Sequence, residues 1–335
     1  NYYRNVNRNK VQFDFLLHST KKGDYDDEII SLGGNLFYMP KLGPLNYFRY
    51  YYKLCRFFQQ HPEYQIVHSH LNAMSGFILN IAKNSGIPFR IAHAHLAVEP
   101  YVLSKLFKKN TDKKATIKDF IQSLIRSRTK KKATHFFACG VKAGEWLFGK
   151  HNLSQVTIIN NAIDAEKFSF NSNEASKLKN KFNLTGKKVI GHIARFNEQK
   201  NHFFLIKIFN EICYRKENVI LMLVGDGNLR PLIEKECQRL RIADKVIFLG
   251  VQRNIPELLK VFDLFLFPSL YEGLPVTLIE AQASGLKIVA SDTITDEVDI
   301  TNLVTFCSLK DSEKLWAQMV LLNIDYKYLF TFFES

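Results

Sequence analysis

The sequence predicts an α/β protein of two Rossmann-like, doubly wound parallel-sheet domains facing a cleft. Three observations predict it. Short β-rich runs alternate with helical segments from end to end, the pattern of parallel strands joined by crossover helices. The 335 residues are enough for two domains that each bury a core. The strand pattern also stops after Asn160-Asn161-Ala162-Ile163-Asp164 and restarts at Lys188. The expected division is therefore 1–163 and 164–335.

Taken in order, the first half offers strands at Val11–Leu17, Asn35–Met39, Gln65–His70, Phe89–His93, Thr134–Cys139 and Val156–Asn160. A polar helical stretch, Asn171–Lys181, then leads into the second half. Its strands are expected at Lys188–Ala194, Val219–Val224, Lys245–Leu249, Leu264–Pro268, Lys287–Ala290 and Leu303–Cys307. Helices are expected between them at His202–Arg215, Arg230–Leu240, Ile255–Val261 and Pro275–Ser284. Open α/β sheets bind ligands at the carboxyl ends of their strands, so two facing units leave a cleft there. Both ends read as truncated. The chain opens inside what looks like the helix after a first strand, and it closes on an apolar tail, Tyr328–Phe333, without a cap.

Composition narrows the class. An apolar fraction of 46% with 23% charged residues is that of a soluble globular protein. No apolar run approaches the roughly 20 residues that span a bilayer, and the opening residues carry no signal-peptide core. The five cysteines are scattered without a Cys-x-x-Cys pair, as reduced packing residues of a cytoplasmic protein would be.

Charge is distributed unevenly. Residues 1–160 hold 24 Lys+Arg against 10 Asp+Glu, a balance of +14, while residues 161–335 hold 22 against 22. Eleven basic residues lie between Lys105 and Lys132, interleaved with apolar ones. Such a stretch is either a solvated helical face or a basic amphipathic surface resting on anionic lipid. Nucleic acid is not expected, because no zinc finger, RNA-recognition or helix-turn-helix pattern accompanies the charge.

The most informative cluster runs from Pro268-Ser269-Leu270-Tyr271-Glu272-Gly273-Leu274-Pro275 to Glu280. A buried strand ends, a Gly-containing turn follows, and Pro275 falls where a first helical residue is favoured. That geometry aims the amides of Gly273 and Leu274, with the helix dipole, at an anion such as a diphosphate. Glu280 lies about 9 Å further along the helix among apolar neighbours. A carboxylate there needs hydrogen-bond donors, which a ribose diol would supply. Glu272, on the turn, could accept from hydroxyls of a sugar. The plain alternative is a capped helix with a structural carboxylate.

A second cluster, Gly191 to Asn201, carries Arg195 and Lys200 at a strand end. The pair suits a diphosphate leaving group, Arg195 as a bidentate fork and Lys200 as a point charge. Stabilising charge on the leaving oxygens is where such a site gains most rate. Val224-Gly225-Asp226-Gly227 is a third strand-to-helix turn, weak alone because it lacks the full dinucleotide fingerprint. In the first half His68-Ser69-His70 and His93-Ala94-His95 each close a strand. Histidines two apart share a face, so each pair is half a metal site. With no carboxylate or cysteine at ligand spacing, substrate-contacting histidines are expected, satisfied structural histidines are the alternative, and no metal is expected.

On these residues the chain resembles a family 4 glycosyltransferase of the two-Rossmann-domain (GT-B) fold, nearest its capsular and exopolysaccharide branch. The resemblance runs from about residue 1 to residue 320, with Glu272 and Glu280 matching the Glu-x7-Glu pattern. It implies that 1–163 is the acceptor-side domain and 164–335 binds the nucleotide-sugar. It further implies that Glu280 contacts the ribose, Glu272 the donor sugar, and Arg195 with Lys200 the diphosphate. Gly225, Gly227, Gly273, Leu274 and Pro275 complete the donor side. His95 matches the histidine facing the reacting centre, His93 is its competitor, and His70 belongs to the acceptor side. The family's Asn-Gly-Ile-Asp hinge stands here as Asn161-Ala162-Ile163-Asp164, with Ala in place of Gly.

The activity so implied is retaining, metal-independent transfer of a hexose-type sugar from a nucleotide diphosphate, UDP above others. The nucleotide-sugar is a co-substrate and no cofactor is expected. A lipid-linked or saccharide acceptor and peripheral contact through Lys105–Lys132 at the inner membrane face complete the expectation. Two other functions remain open on sequence: a GT-B-fold sugar-nucleotide epimerase, and a truncated, non-catalytic sugar-nucleotide-binding protein.

Overall fold

The computed structural model describes residues 2–40, 46–97 and 125–325. Two compact units are present. The first takes the described residues through His95 and on to Ala162, and the second runs from Ile163 with Leu96 and Ala97 counted in it. Ala162 is not among the residues with positive φ, so alanine fits the backbone at this junction without strain.

In the first unit, strands β1 (Phe15–Leu17) and β2 (Leu36–Tyr38) form a parallel pair of their own. Strands β3 (Ile66–Ser69), β4 (Phe89–Ala94), β5 (His135–Ala138) and β6 (Val156–Ile158) form a four-stranded parallel sheet in simple order. The expected strand Val11–Leu17 thus shortens to three residues, because β1 has only three residues of β2 to pair with. The Tyr47–Gln60 helix buries Tyr50, Leu54 and Phe58, spaced by four, against Ile78 and Ile81 of the Ser75–Asn84 helix.

The second unit is built on β7 (Lys188–Ile193), β8 (Val219–Val224), β9 (Val246–Gly250), β10 (Leu264–Phe267), β11 (Ile288–Ser291) and β12 (Val304–Cys307). All six are parallel, in the order β12-β11-β10-β7-β8-β9. Every residue of β8, Val-Ile-Leu-Met-Leu-Val, is buried, as expected of a strand covered by helices on both faces. Gly191 in β7 is required by packing: a Cβ there would lie 1.9 Å from the Phe262 ring. The Ser172–Lys181 helix begins where Asn171 accepts hydrogen bonds from the amides of Asn173 and Glu174. On the opposite side, Trp316 of the Glu313–Ile324 helix meets Phe204 edge to face, 5.6 Å between centroids.

The order of strands reverses between β7 and β10. From β7 the chain moves outward through β8 and β9, then returns to lay β10, β11 and β12 on the other side. Loops leaving β7 and β10 therefore part in opposite directions and open a crevice at their carboxyl ends. None of the five cysteines forms a disulfide, and Cys139, Cys237 and Cys307 are buried. Among the described residues no helix is long and apolar enough to cross a membrane. Most of the basic stretch Lys105–Lys132 lies outside the described residues; 125–132 is helical, with Arg126 over the Trp146 ring at 5.4 Å.

Candidate active site

The crevice of the second unit holds the residues singled out by their spacing. After β7 the chain turns at Asn197, whose side chain accepts from the Lys200 amide, and passes Asn201 in left-handed conformation at φ 55°. Asn tolerates that region because its short polar side chain bonds locally. Here Asn201 Nδ2 donates to the Pro268 carbonyl at 3.1 Å, and the Leu270 amide donates to the Gln199 carbonyl at 2.8 Å. The loop after β7 is thereby fastened to the loop after β10.

That fastening sets the charges. Lys200 Nζ donates to Glu272 Oε1 at 2.6 Å, with Glu272 buried and Lys200 only 16% exposed in its side chain. Gln199 Nε2 reaches the other carboxylate oxygen at 3.2 Å and the Tyr271 carbonyl at 2.9 Å. The Lys200 ammonium also lies 4.9 Å from the Phe267 ring centroid, a cation–π contact. Each carboxylate oxygen of the buried pair thus has a donor, the condition under which such a pair holds its geometry.

A cavity of 310 Å³ opens beside this pair. Arg195, Lys200, Gly225, Gln252 and Thr277 line it together with apolar Val251 and Ile255. Arg195 is exposed, and its guanidinium makes no hydrogen bond or ion pair with the described residues. Gly225 has φ +125°, and a Cβ on it would stand 2.0 Å from the Ala194 carbonyl oxygen. Glycine is therefore needed for β8 to end this close to the residue before Arg195. Gly227 does not line the cavity but meets the same constraint, a Cβ there falling 2.3 Å from the Phe196 carbonyl oxygen.

The Val276–Ala283 helix follows β10 and brings Thr277 to the cavity wall. Pro275 is the capping residue and not the first helical one. Its ψ of 112° is extended, and the Leu278 amide bonds back to its carbonyl at 3.1 Å. Proline's fixed φ suits either position, and ψ decided between them. One helical turn on from Thr277, the half-buried Glu280 carboxylate has no hydrogen-bond partner among the described residues. Burial pushes its pKa up to about 7. Gly273 and Leu274 are buried in the turn between Glu272 and this helix.

The histidines belong to the first unit. His68 and His70 at the end of β3 lie beside His93 and His95 at the end of β4. His68 Nε2 is 3.0 Å from His93 Nδ1, and His70 Nδ1 is 2.7 Å from His95 Nε2. The rings of His93 and His95 stack at 4.1 Å. Burial and the neighbouring imidazoles lower the pKa of His93 to about 3, and burial lowers that of His68 to about 4, so both are neutral near pH 7. The His95 amide donates to Asn72 Oδ1 at 2.7 Å, which fixes the turn after β4.

Arg195, Lys200 and Gly225 therefore share a cavity, Glu272 is tied to Lys200, and Glu280 sits unpartnered on the helix behind. Sequence reasoning left Gln199, Gln252 and Thr277 without roles. Thr277 stood inside the quoted motif, but nothing local marked Gln252, which arrives from the loop after β9.

The chain matches the family model of glycosyl transferases group 1 over residues 174–303. It is 39% identical to the glycosyltransferase EpsF of Bacillus subtilis over 327 residues, 96% of this chain and 82% of that protein. It is 25% identical over 336 residues to the capsular polysaccharide biosynthesis glycosyltransferase CapH of Staphylococcus aureus, covering 97% of this chain and 86% of that one. The crystal structure of HepE from Anabaena in complex with UDP-glucose matches at TM-score 0.71 and 17% identity, covering 92% of this chain and 81% of that one.

Proposed function

The chain belongs to the group 1 glycosyl transferases of GT-B fold, and from that premise we propose that it moves a sugar from a UDP-linked donor to a lipid-linked or saccharide acceptor in surface-polysaccharide synthesis. The observation that carries this reading is the cavity at the carboxyl ends of β7 and β8, with Arg195 and Lys200 on its wall. CapH is named for capsular polysaccharide biosynthesis and HepE was crystallised with UDP-glucose, which supports the substrate classes.

As the bond from the anomeric carbon to phosphate breaks, negative charge gathers on the departing diphosphate. Arg195 meets it with a fork that no carboxylate of the described residues occupies, and Lys200 with an ammonium held in place by Glu272. The amides at the head of the Val276–Ala283 helix, in the Gly273-Leu274-Pro275 turn, add their dipole. Glu280 accepts from the ribose diol, which supplies the donors its environment lacks. Glu272 accepts from a hydroxyl of the transferred sugar while keeping Lys200 aligned.

The acceptor hydroxyl attacks on the face the diphosphate leaves, and its proton passes to the departing phosphate oxygen. Configuration is then retained. No metal is needed, because Arg195 and Lys200 supply the positive charge. His95, an imidazole of the acceptor-side unit whose pKa is lowered by burial, serves as a hydrogen-bond partner to acceptor hydroxyls, with His93 and His70 beside it. The basic stretch Lys105–Lys132 holds this unit against anionic lipid at the inner membrane face.

Incubation with nucleotide-sugars and product analysis tests the reading. We expect free UDP and a glycoside whose anomeric proton coupling reports retention, at a rate unchanged by chelator. Arg195→Ala and Glu280→Ala should each lower transfer by about 100-fold or more. Undiminished transfer from every nucleotide donor in both variants would overturn the assignment.

A further inference from the structure

Two histidine pairs that sequence separates by more than twenty residues form one cluster on the first unit. We propose that His68, His70 and His93 form a binding site for a first-row divalent transition ion of borderline softness, of which Zn2+ is the type. In this site His95 orients His70, and the ion would clamp the ends of β3 and β4. The ion in this inference is structural, not catalytic, so it leaves the metal-independence of transfer untouched and stands whether or not the chain turns over.

The geometry carries it. One nitrogen from each of the three imidazoles lies within 4.8 Å of the other two. Ligand nitrogens about 2.0–2.1 Å from a tetrahedral ion stand roughly 3.3 Å apart. The His68–His93 separation of 3.0 Å is already near that value. The longest separation must close by at most about 1.5 Å to reach the tetrahedral spacing, a distance that rotation of an exposed imidazole such as His70 can supply.

The supporting groups are fixed. The β3–β4 register pairs His68 with Ile91, so the alternation of parallel strands sets His68, His70, His93 and His95 on one face. His95 Nε2 at 2.7 Å from His70 Nδ1 supplies the second hydrogen bond that ligand imidazoles commonly make. Asn72 anchors the His95 backbone, and Ser69 Oγ bonds Ser75 Oγ at 3.0 Å beneath the site.

Chemistry selects the ion. Imidazole nitrogen suits Zn2+, Co2+ and Ni2+, whereas Mg2+ and Ca2+ want oxygen ligands that this cluster does not offer. His68 is half-buried and His70 exposed, so the ion can enter from solvent.

The test uses the full chain without a histidine tag, stripped with chelator and titrated with Co2+ and with Zn2+. We expect one equivalent of either ion to bind, with the intense visible bands of tetrahedral Co2+ and a raised thermal midpoint. His68→Gln combined with His93→Gln should weaken binding by at least about 100-fold, since two of three ligands are removed. His135→Gln, an exposed histidine of β5 outside the cluster, should leave it unchanged. The faint spectrum of octahedral Co2+ on the wild-type chain, which needs no variant to fold, would defeat the proposal. So would binding that survives the double substitution or is lost with His135→Gln.

Discussion

The two units set their chemistry at the same architectural place, the carboxyl ends of parallel strands, and fill it with opposite electrostatics. In the second unit the strand ends carry a guanidinium with no partner among the described residues, an ammonium bound to a buried carboxylate, and a second carboxylate behind them. In the first unit they carry four imidazoles in mutual contact and no carboxylate among them. The contrast runs against the overall charge. The half with a balance of +14 offers neutral rings at its strand ends, and the half with a balance of zero offers the cations. Net charge describes the surface of a unit, whereas the character of a site follows from what a few strand ends bring together.

The sharpest way to break this comparison is to remove the cations separately. Lys200→Ala should lower transfer by about 100- to 1000-fold and also cost about 3–5 kcal/mol of stability, because Glu272 is left buried and unpaired. Arg195→Ala should lose as much transfer while changing stability by less than about 0.5 kcal/mol. Steady-state rates beside urea unfolding separate the two, and equal destabilisation by both would undo the assignment of different roles. No variant of the first unit's histidines should reproduce the Lys200 pattern.

Next in size is Gly225→Ala. The positive φ and the Ala194 carbonyl together leave no room for a methyl, so a loss of about 3 kcal/mol is expected with nucleotide binding impaired. Thermal unfolding and UDP titration measure both. Gly86 also has positive φ but has nothing within 4 Å of a built Cβ, so Gly86→Ala should cost less. An equal penalty would mean that φ alone, and not the close approach, fixes Gly225.

Protonation offers a comparison of opposite sign. Glu280 has its pKa raised to about 7, so the folded second unit holds a proton there that the unfolded chain releases at lower pH. Its contribution is present below the ordinary carboxylate range and is lost as pH rises through about 7. Glu280→Gln should therefore be more stable than the wild-type chain at pH 8 by about 3 kcal/mol and nearly equal to it at pH 4. If Glu280 accepts from ribose, UDP binding near pH 7 releases a proton, and calorimetry in buffers of different ionisation enthalpy should show that release vanish in Glu280→Gln.

The smallest effect belongs to His18 of the first unit. Its ring stacks on Tyr50, and burial lowers its pKa. Here stability is present above the ordinary imidazole range and is lost as pH falls below it. His18→Gln should flatten the acid limb of unfolding without moving the alkaline one. Hydrogen exchange read segment by segment would place the acid response near β1 and β2. A response confined to the second unit would refute it.

Much of the fold was legible because apolar β-rich runs of four to six residues, broken by Gly and Pro, leave few alternatives to buried parallel strands. Val219–Val224 and Leu264–Phe267 are of this kind. The ends of elements were less legible. Val11–Leu17 alternates well enough to look like a longer strand, but a strand extends only as far as its partner does, and β2 has three residues to offer. The Pro275 position failed for a related reason, since φ is fixed by the ring and ψ by the turn that precedes it.

The sequence by itself determined the two-unit α/β organisation, the Arg195 and Lys200 pair at one strand end, and the Glu272 and Glu280 spacing on another. These are properties of neighbours along the chain, which local periodicity and turn chemistry record. Only the tertiary structure decided that Lys200 is bonded to Glu272, that Gln199 and Thr277 join the site, and that two histidine pairs make one cluster. Each of those contacts spans 23 residues or more and depends on strand order and register. Register is a property of the sheet, and it comes into being only when separate segments pair.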